Sequence, residues 1–296
     1  MSFQLSQITS YNTALEQASS YMEDNNLWFG HGTDNAWDES VALLLWSAAL
    51  PIDTEADILK ATLEPEVQER FVAAVNRRVE ERIPAAYITQ ESWFYGLSFY
   101  VNKDVLIPRS PIAELIAHGF QPWLKIEPIN ILDLCCGSGC IGIATATEFS
   151  RAQVVLADLS AAALVVAKNN IERHNCAGRV SVNQGDLFES LNGQVFDLIL
   201  CNPPYVDAED LASMPEEYRH EPAMGLGSGE DGLDLTRKIL EQAPAFLSEQ
   251  GILVLEVGNS WRHLDNAYPE HSFLWLDFAN GGEGVCVLTR EELLQL

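Results

Sequence analysis

Positive charge is scarce in this chain. Only 17 Lys and Arg stand against 43 Asp and Glu, a formal net charge of -26 over 296 residues. A field of that sign repels nucleic acid unless a local basic patch overrides it. No basic segment interleaved with aromatics is present, so direct nucleic-acid specificity is not expected. The same field attracts a basic protein partner, although it can also do no more than keep the chain in solution. Long apolar runs are missing too. No uncharged stretch approaches the roughly 20 residues of a membrane helix. The start, MSFQLSQITS, has neither a basic region nor an apolar run, so no secretory leader and no membrane contact are expected, and the chain is expected in the cytoplasm. A disulfide framework is lacking as well. Cys135, Cys136 and Cys140 sit too close together for one, and their spacing matches no common zinc pattern, so the six cysteines read as reduced thiols and no metal is expected. Repeats and low-complexity segments are absent. What remains is core material: 47% hydrophobic residues, with 7 Trp and 12 Phe, enough for one large domain or two ordinary ones.

The first part reads as helical. ESVALLLWSAALP begins with acids, carries a wide apolar face and stops before Pro51. EPEVQERFVAAVNRRVEERIP sets Val67, Phe71, Val75 and Val79 on one face. WFYGLSFYVNKDVLIP follows, with aromatic and β-branched runs on either side of NKD, and reads as a β-hairpin linking two domains. From about Arg109 strands and helices alternate. INILDLC, AQVVLADL, VSVNQGD, FDLILCN and GILVLEVG are strands; GCIGIATATEF, SAAALVVAKNNIERHN with Ser160 as N-cap, and DLTRKILEQAPAFL are helices. FLWLDFANGGEGVCVLTR reads as two closing strands around a Gly-rich turn. This order implies an α/β fold with a parallel sheet covered on both faces. The expected domains are 1–92 (helical), 93–108 (hairpin linker) and 109–296 (the sheet).

DLCCGSGCIG carries G-x-G-x-x-G at Gly137, Gly139 and Gly142 between a strand and a helix, and Asp158 ends the next strand. That arrangement is a dinucleotide fingerprint: the glycines turn the chain tightly and let a ligand approach the backbone, and the acid can hold ribose hydroxyls. Two features favour S-adenosylmethionine instead. Asp133, at the entry to the loop, would repel a pyrophosphate but can help hold an ammonium. Asp186, after the third strand, can accept from an adenine amino group. On these residues alone a dinucleotide site and a plain turn both stay open.

Downstream, Asn202, Pro203, Pro204 and Tyr205 end a strand. A planar NH2 group is a poor nucleophile, because its lone pair is delocalised into the adjoining π-system. Acceptors on both hydrogens draw density towards nitrogen and fix its direction. The Asn202 side-chain oxygen can be one and the Pro203 carbonyl the other. The two prolines stiffen the backbone and remove competing N–H groups, and Tyr205 can pack on the flat face of the acceptor. The pattern suits methyl transfer to a planar nitrogen by positioning and electrostatics.

In this order the motifs resemble those of methyltransferases. NPPY at this place occurs in adenine amino methyltransferases for nucleic acids and in glutamine side-chain methyltransferases for proteins. The chain resembles the second group: VLIPRSPIAELI looks like its segment before the glycine loop, and EYRHEPAMGLGSGEDGL like its loop after NPPY. PRSPIAELI and NPPYVDAEDLASMPEEYRHEP are similar to the branch that modifies the large-subunit ribosomal protein L-three. The resemblance covers nearly the whole chain. It implies a class I, Rossmann-like methyltransferase sheet with an N-terminal helical substrate-recognition domain. It implies catalytic roles for Asn202, Pro203, Pro204 and Tyr205. With Asp133 as read above, it implies S-adenosylmethionine held by Cys135, Cys136, Gly137, Ser138, Gly139, Asp158, Asp186, Leu187 and Asn202. The expected substrate is a glutamine of a basic ribosomal protein, free or in an early assembly particle. The alternatives are release-factor glutamine methylation and adenine amino methylation. One departure is visible: Cys135 stands where many methyltransferases have glycine. Arg109 and Glu114 can brace the domain junction or the cofactor pocket, or form an ordinary surface pair. His220 and Glu221 can line a substrate cleft or simply pack the loop.

Overall fold

The computed structural model describes residues 2–296. It divides into two compact units, Met1–Glu91 with Pro215–His220, and Ser92–Met214 with Glu221–Leu296. A short piece of the loop after NPPY therefore belongs to the first unit.

The first unit is helical: α1 (Tyr11–Asp24), α2 (Ala36–Ala48), α3 (Pro65–Glu80) and α4 (Ala85–Thr89). Ser10 and Asn35 cap α1 and α2, accepting from Thr13 N and Asp38 N, which satisfies backbone donors the helices leave open. Val67, Phe71, Val75 and Val79 are buried together, as their spacing predicts, against Leu15, Met22 and Leu43. In this core lies a fully buried arginine. Arg78 donates through Nε to Glu39, through Nη1 to Glu217 at 3.2 Å and through Nη2 to the Trp28 carbonyl at 2.6 Å. Glu217, in the Pro215–His220 piece, also accepts from Trp28 N at 3.1 Å. Burial pushes the Glu217 carboxyl up, but the Trp28 N–H and Arg78 outweigh it and hold it below the usual range.

Next in the chain are β1 (Glu91–Phe94), which from Ser92 on belongs to the second unit, and β2 (Leu97–Tyr100). The turn expected at NKD lies earlier, on Tyr95 and Gly96, whose φ values are 53° and 71°. Two successive positive φ angles make the tight primed turn that matches strand twist, so the aromatic run is split by the turn instead of preceding it. After α5 (Ile112–Ala117) come β3 (Asn130–Leu134), α6 (Cys140–Glu148), β4 (Gln153–Asp158), α7 (Ala161–Arg173), β5 (Val180–Gln184) and β6 (Phe196–Cys201). Next are α8 (Ala208–Ser213), α9 (Asp234–Gln242), β7 (Leu247–Glu256), α10 (Trp261–Ala267), β8 (Val285–Thr289) and α11 (Arg290–Leu293).

The six strands are ordered β5-β4-β3-β6-β7-β8. All neighbours are parallel except β7 and β8. Successive residues face opposite sides of the sheet: Ile131, Val154, Leu198 and Val254 pack with residues of α5, α6 and α7, while Leu132, Ile199, Leu253 and Leu255 pack with Ile239 and Leu240 of α9. Both faces are buried, which is why these strands read as unbroken apolar runs. The fold is the expected Rossmann-like α/β sheet. The closing segment differs from expectation. Only β8 is a strand, and before it only Trp275 makes a single bridge, to Cys286. Glu114 takes the backbone N–H groups of Ala279 and Asn280 at 3.0 and 2.8 Å, and Gly281, Gly282 and Gly284 all have positive φ, so this stretch is pinned as a loop. Among the described residues, no helix is long and apolar enough to cross a membrane.

The core of the first unit generates a test. Arg78→Met removes the charge between two buried carboxylates, and breaking such a cluster from one side costs about 3–5 kcal/mol. Chemical denaturation followed by circular dichroism should show a loss of that size; a loss below about 1 kcal/mol would mean the network contributes little.

Candidate active site

The strand order reverses between β3 and β6. In an open α/β sheet the crevice at such a reversal, beyond the carboxyl ends of the strands, is where ligands bind. Leu134 of β3 pairs with Cys201 of β6. The next residues, Cys135 and Asn202, therefore leave the sheet at the same level on the two sides of the reversal.

On one side is the glycine loop, built around two carboxylates. Asp133 is buried at the end of β3 and accepts from Gly142 N at 2.8 Å. Asp158 ends β4 and accepts from Gly137 N at 2.9 Å and Ser160 N at 2.8 Å. Cys136 N donates to the Ala157 carbonyl at 3.0 Å, which ties the loop to β4. A Cβ at Gly142 would lie 2.3 Å from a Leu156 methyl and 2.9 Å from Asp133 Cβ, so only glycine lets α6 start this close to the sheet. At Gly137 a Cβ would meet nothing within 4 Å; that backbone faces open space. Cys135 holds φ 60°, a left-handed backbone that glycine adopts without strain. Ser138 is buried.

Burial pushes the Asp133 carboxyl up to about 7; the Gly142 N–H pulls it down and Asp158 adds to the rise. Burial also raises Asp158, against the pull of the Ser160 and Gly137 N–H groups. Asp186, beyond β5, is exposed, whereas Leu187 beside it is buried with φ 48°. Asp133, Asp158, Asp186 and Asn202 thus lie at or just beyond the carboxyl ends of four adjacent strands. Among the described residues, no group of three or more His, Cys, Asp or Glu can hold a metal ion.

On the other side is NPPY. Pro203 is buried and Asn202 half-buried, and the Asn202 side chain has no hydrogen-bond partner among the described residues. Tyr205, by contrast, is held three ways. Its hydroxyl donates to Glu256 at 3.2 Å, and its carbonyl accepts from Ser260 Oγ at 2.7 Å. Its ring lies where a side chain on Gly258 would be, since a Cβ there would come within 2.4 Å of it. The next residue, Val206, bonds Leu226 and Ser228 at 2.9 and 3.0 Å, closing the loop after NPPY back on its own start.

Arg109 and Glu114 do not pair with each other. Arg109 makes a two-pronged bond to Glu221, at 2.6 and 2.8 Å, and Glu221 also accepts from Ile107 N at 3.0 Å. Glu221, which could have lined a cleft, is a buried brace between PRSPIAELI and the loop after NPPY. His220 bonds the Glu81 carbonyl at 2.8 Å, within the helical unit. Glu114 pins residues 279 and 280, and those backbone N–H groups hold its carboxyl below the usual range.

Two site residues escaped the sequence reading. Asn170 of α7 is fully buried, donates to the carbonyls of Ser138 at 2.9 Å and Tyr100 at 3.0 Å, and accepts from Tyr100 N at 2.7 Å. The available signal was an asparagine on the face carrying Leu164, Val166 and Ala167. Glu256 is the other. It ends β7, is buried, and accepts from Ser110 Oγ at 2.5 Å as well as from Tyr205.

Comparison with known proteins places the chain among methyltransferases. Residues 120–216 match the family model of the methyltransferase small domain. The chain is 46% identical over 267 residues to the ribosomal protein uL3 glutamine methyltransferase of Bordetella pertussis, covering 89% of each chain. It is 45% identical to that of Francisella tularensis, covering 93% of this chain and 88% of that one. The fold is shared with the catalytic domain of hMettl16 in complex with a MAT2A 3'UTR hairpin, at TM-score 0.53 and 14% identity, over 80% of this chain and 87% of that one.

Asn170→Ala tests how the loop is held. It strips three bonds from a fully buried position and leaves the Ser138 and Tyr100 groups unpaired, a cost of about 2–4 kcal/mol. Hydrogen exchange should show faster exchange at Gly137 and Gly139 in the variant; unchanged protection there would remove Asn170 from the loop's support.

Proposed function

The chain belongs to the ribosomal protein uL3 glutamine methyltransferase family, and from that premise we propose how its residues carry out the transfer. The protein methylates a glutamine of uL3. The reading adopted is that the methyl goes to the side-chain amide nitrogen and comes from S-adenosylmethionine. The residues present suit that cofactor. Gly137 presents open backbone. Asp158 keeps lone pairs beyond its two loop bonds and can take ribose hydroxyls, Asp186 can accept from an adenine amino group, and the buried Asp133 can balance an ammonium. When bound, S-adenosylmethionine supplies an electrophilic methyl on a sulfonium.

The observation that carries the reading is the contrast within NPPY: the Asn202 side chain has no hydrogen-bond partner among the described residues, while Tyr205 is fixed through its hydroxyl, its carbonyl and its ring. Asn202 Oδ1 and the Pro203 carbonyl accept the two hydrogens of the glutamine amide. The nitrogen lone pair then points towards the glycine loop, and Tyr205 bounds the flat face. The N–C bond to the methyl forms as the S–C bond breaks, and the extra proton leaves the nitrogen for water. Positioning and two hydrogen bonds that tighten as charge develops supply the rate enhancement. At a net charge of -26 the chain attracts a basic protein. Free uL3, or uL3 in an early assembly particle, offers such a surface; a mature subunit buries it against RNA.

Methyl incorporation should therefore be strong into purified uL3, weak into a release factor and weak into mature large subunits. Asn202→Ala should lower turnover on uL3 about a hundredfold or more while changing cofactor affinity, measured by calorimetry, much less. An active Asn202→Ala enzyme would exclude the role given to that side chain, and preference for the release factor would exclude the substrate.

The cofactor reading has its own pH signature. Only ionised Asp133 attracts an ammonium, and burial sets its carboxyl at about 7. Affinity for S-adenosylmethionine should rise from about pH 6 to about pH 8 and then level off. Asp133→Asn should flatten that rise; an equal slope in the variant would place the titrating group elsewhere.

A further inference from the structure

Glu256 is a buried carboxylate that the transfer chemistry above does not use. It stands at the end of β7, next to the strand that carries NPPY, and its two oxygens face two different segments. Oε1 accepts from the Tyr205 hydroxyl at 3.2 Å, and Oε2 from Ser110 Oγ at 2.5 Å. Ser110 itself accepts from Ile112 N at 3.2 Å, at the start of α5. One carboxylate thus joins PRSPIAELI, the end of β7 and NPPY. Burying an ionisable group is costly unless it is bonded, and an aliphatic side chain could have filled this volume. A carboxylate here does what an aliphatic chain cannot: it accepts two hydroxyl hydrogens at once.

We propose that Glu256 is a positioning residue for methyl transfer, fixing the Tyr205 ring against the acceptor amide when ionised and releasing it when protonated. The inference rests on the placement of the acceptor amide at NPPY. Ionised, Glu256 takes both hydroxyls. Protonated, one of its oxygens becomes a donor, and one of the two hydroxyls must turn to accept; the three-point hold on Tyr205 then loses a point. The groups that face it favour a change near neutrality. Burial pushes its carboxyl up to about 7, while the Ser110 and Tyr205 hydroxyls and the charge of Arg109 pull it down. Arg109 is itself committed to Glu221. From β6 the neighbouring titratable group is the Cys201 thiol, held neutral by burial. From β8 the residue opposite is the apolar Val285.

The sign follows from these contacts. Turnover should be high above pH 7 and fall as Glu256 takes a proton. The drop should be about three- to tenfold, the weight of one ordinary hydrogen bond. Glu256→Gln, which offers one acceptor and one donor, should remove the acidic limb and sit at the wild-type low-pH rate, with KM for uL3 and cofactor affinity unchanged. Tyr205→Phe should be slow, and adding Glu256→Gln to it should cost nothing more. Ser110→Ala, which deletes a donor to the ionised form, should move the limb to higher pH. A Glu256→Gln enzyme with the wild-type limb, or a double variant slower by the product of the two effects, would overturn the proposal. NMR of carboxyl-labelled glutamate gives a readout without any substrate. One carboxyl should titrate near pH 7, vanish in Glu256→Gln, and move up in both Ser110→Ala and Tyr205→Phe. No such signal, or one indifferent to Tyr205→Phe, would also overturn it. Failure of the wild-type enzyme to label uL3, with the NMR signal intact, would instead remove the substrate reading and leave the Glu256–Tyr205 coupling standing.

Discussion

The parallel pairing of β3 with β6 is the constraint on which the site depends. The strand order reverses there, so the two connections leave the sheet in opposite directions and a crevice opens between them. Because Leu134 sits opposite Cys201, the glycine loop and NPPY emerge at one height. A slip of one residue would turn every β6 side chain to the other face and carry Asn202 away from the crevice. The buried faces prevent that slip, since Leu198 and Ile199 each have their own apolar layer.

The second unit holds several buried or half-buried carboxylates, and each has a defined set of donors. Asp133 and Asp158 take backbone N–H groups of the loop; Glu221 takes Arg109 and Ile107 N; Glu256 takes two hydroxyls. Their environments sort them. Glu221 lies against a guanidinium, and Asp133 and Glu256 are pushed to about 7 by burial with weaker compensation. Groups poised near neutrality are the ones that a bound cation or a neighbouring hydroxyl can switch. In the proposed mechanism that sensitivity serves ligand charge at Asp133 and geometry at Glu256.

The sheet and the motifs were legible because they are local. A glycine loop, an acid ending the next strand and an asparagine before two prolines declare themselves over short windows, and β3, β4, β6 and the second half of β7 read as largely apolar runs. What escaped detection depends on partners far away in sequence. Glu256 ends a run, GILVLE, that looks like any buried strand, and its partners lie 146 and 51 residues away. Arg109 and Glu221 are 112 residues apart, and no pattern of spacing joins them. Gly258 looks like a strand-ending glycine until the Tyr205 ring is seen against it. The misplaced hairpin turn had a different cause: NKD has turn composition, but Tyr95 and Gly96 take the positive φ angles that the strands require. Of the last pair of strands only the second formed: before it Trp275 makes a single bridge, to Cys286, while Glu114 holds the N–H groups of Ala279 and Asn280 in the turn.

In the proposed mechanism Asn202 and Pro203 hold the acceptor amide across the crevice from the glycine loop. The most direct measurement is a crystal structure of the enzyme with S-adenosylhomocysteine and a glutamine-containing segment of uL3. The expected result is the glutamine amide nitrogen within about 3.2 Å of both Asn202 Oδ1 and the Pro203 carbonyl, with the Tyr205 ring on its flat face and the cofactor sulfur on the side of Gly137. A glutamine side chain bound elsewhere, with Asn202 turned to the protein, would contradict it.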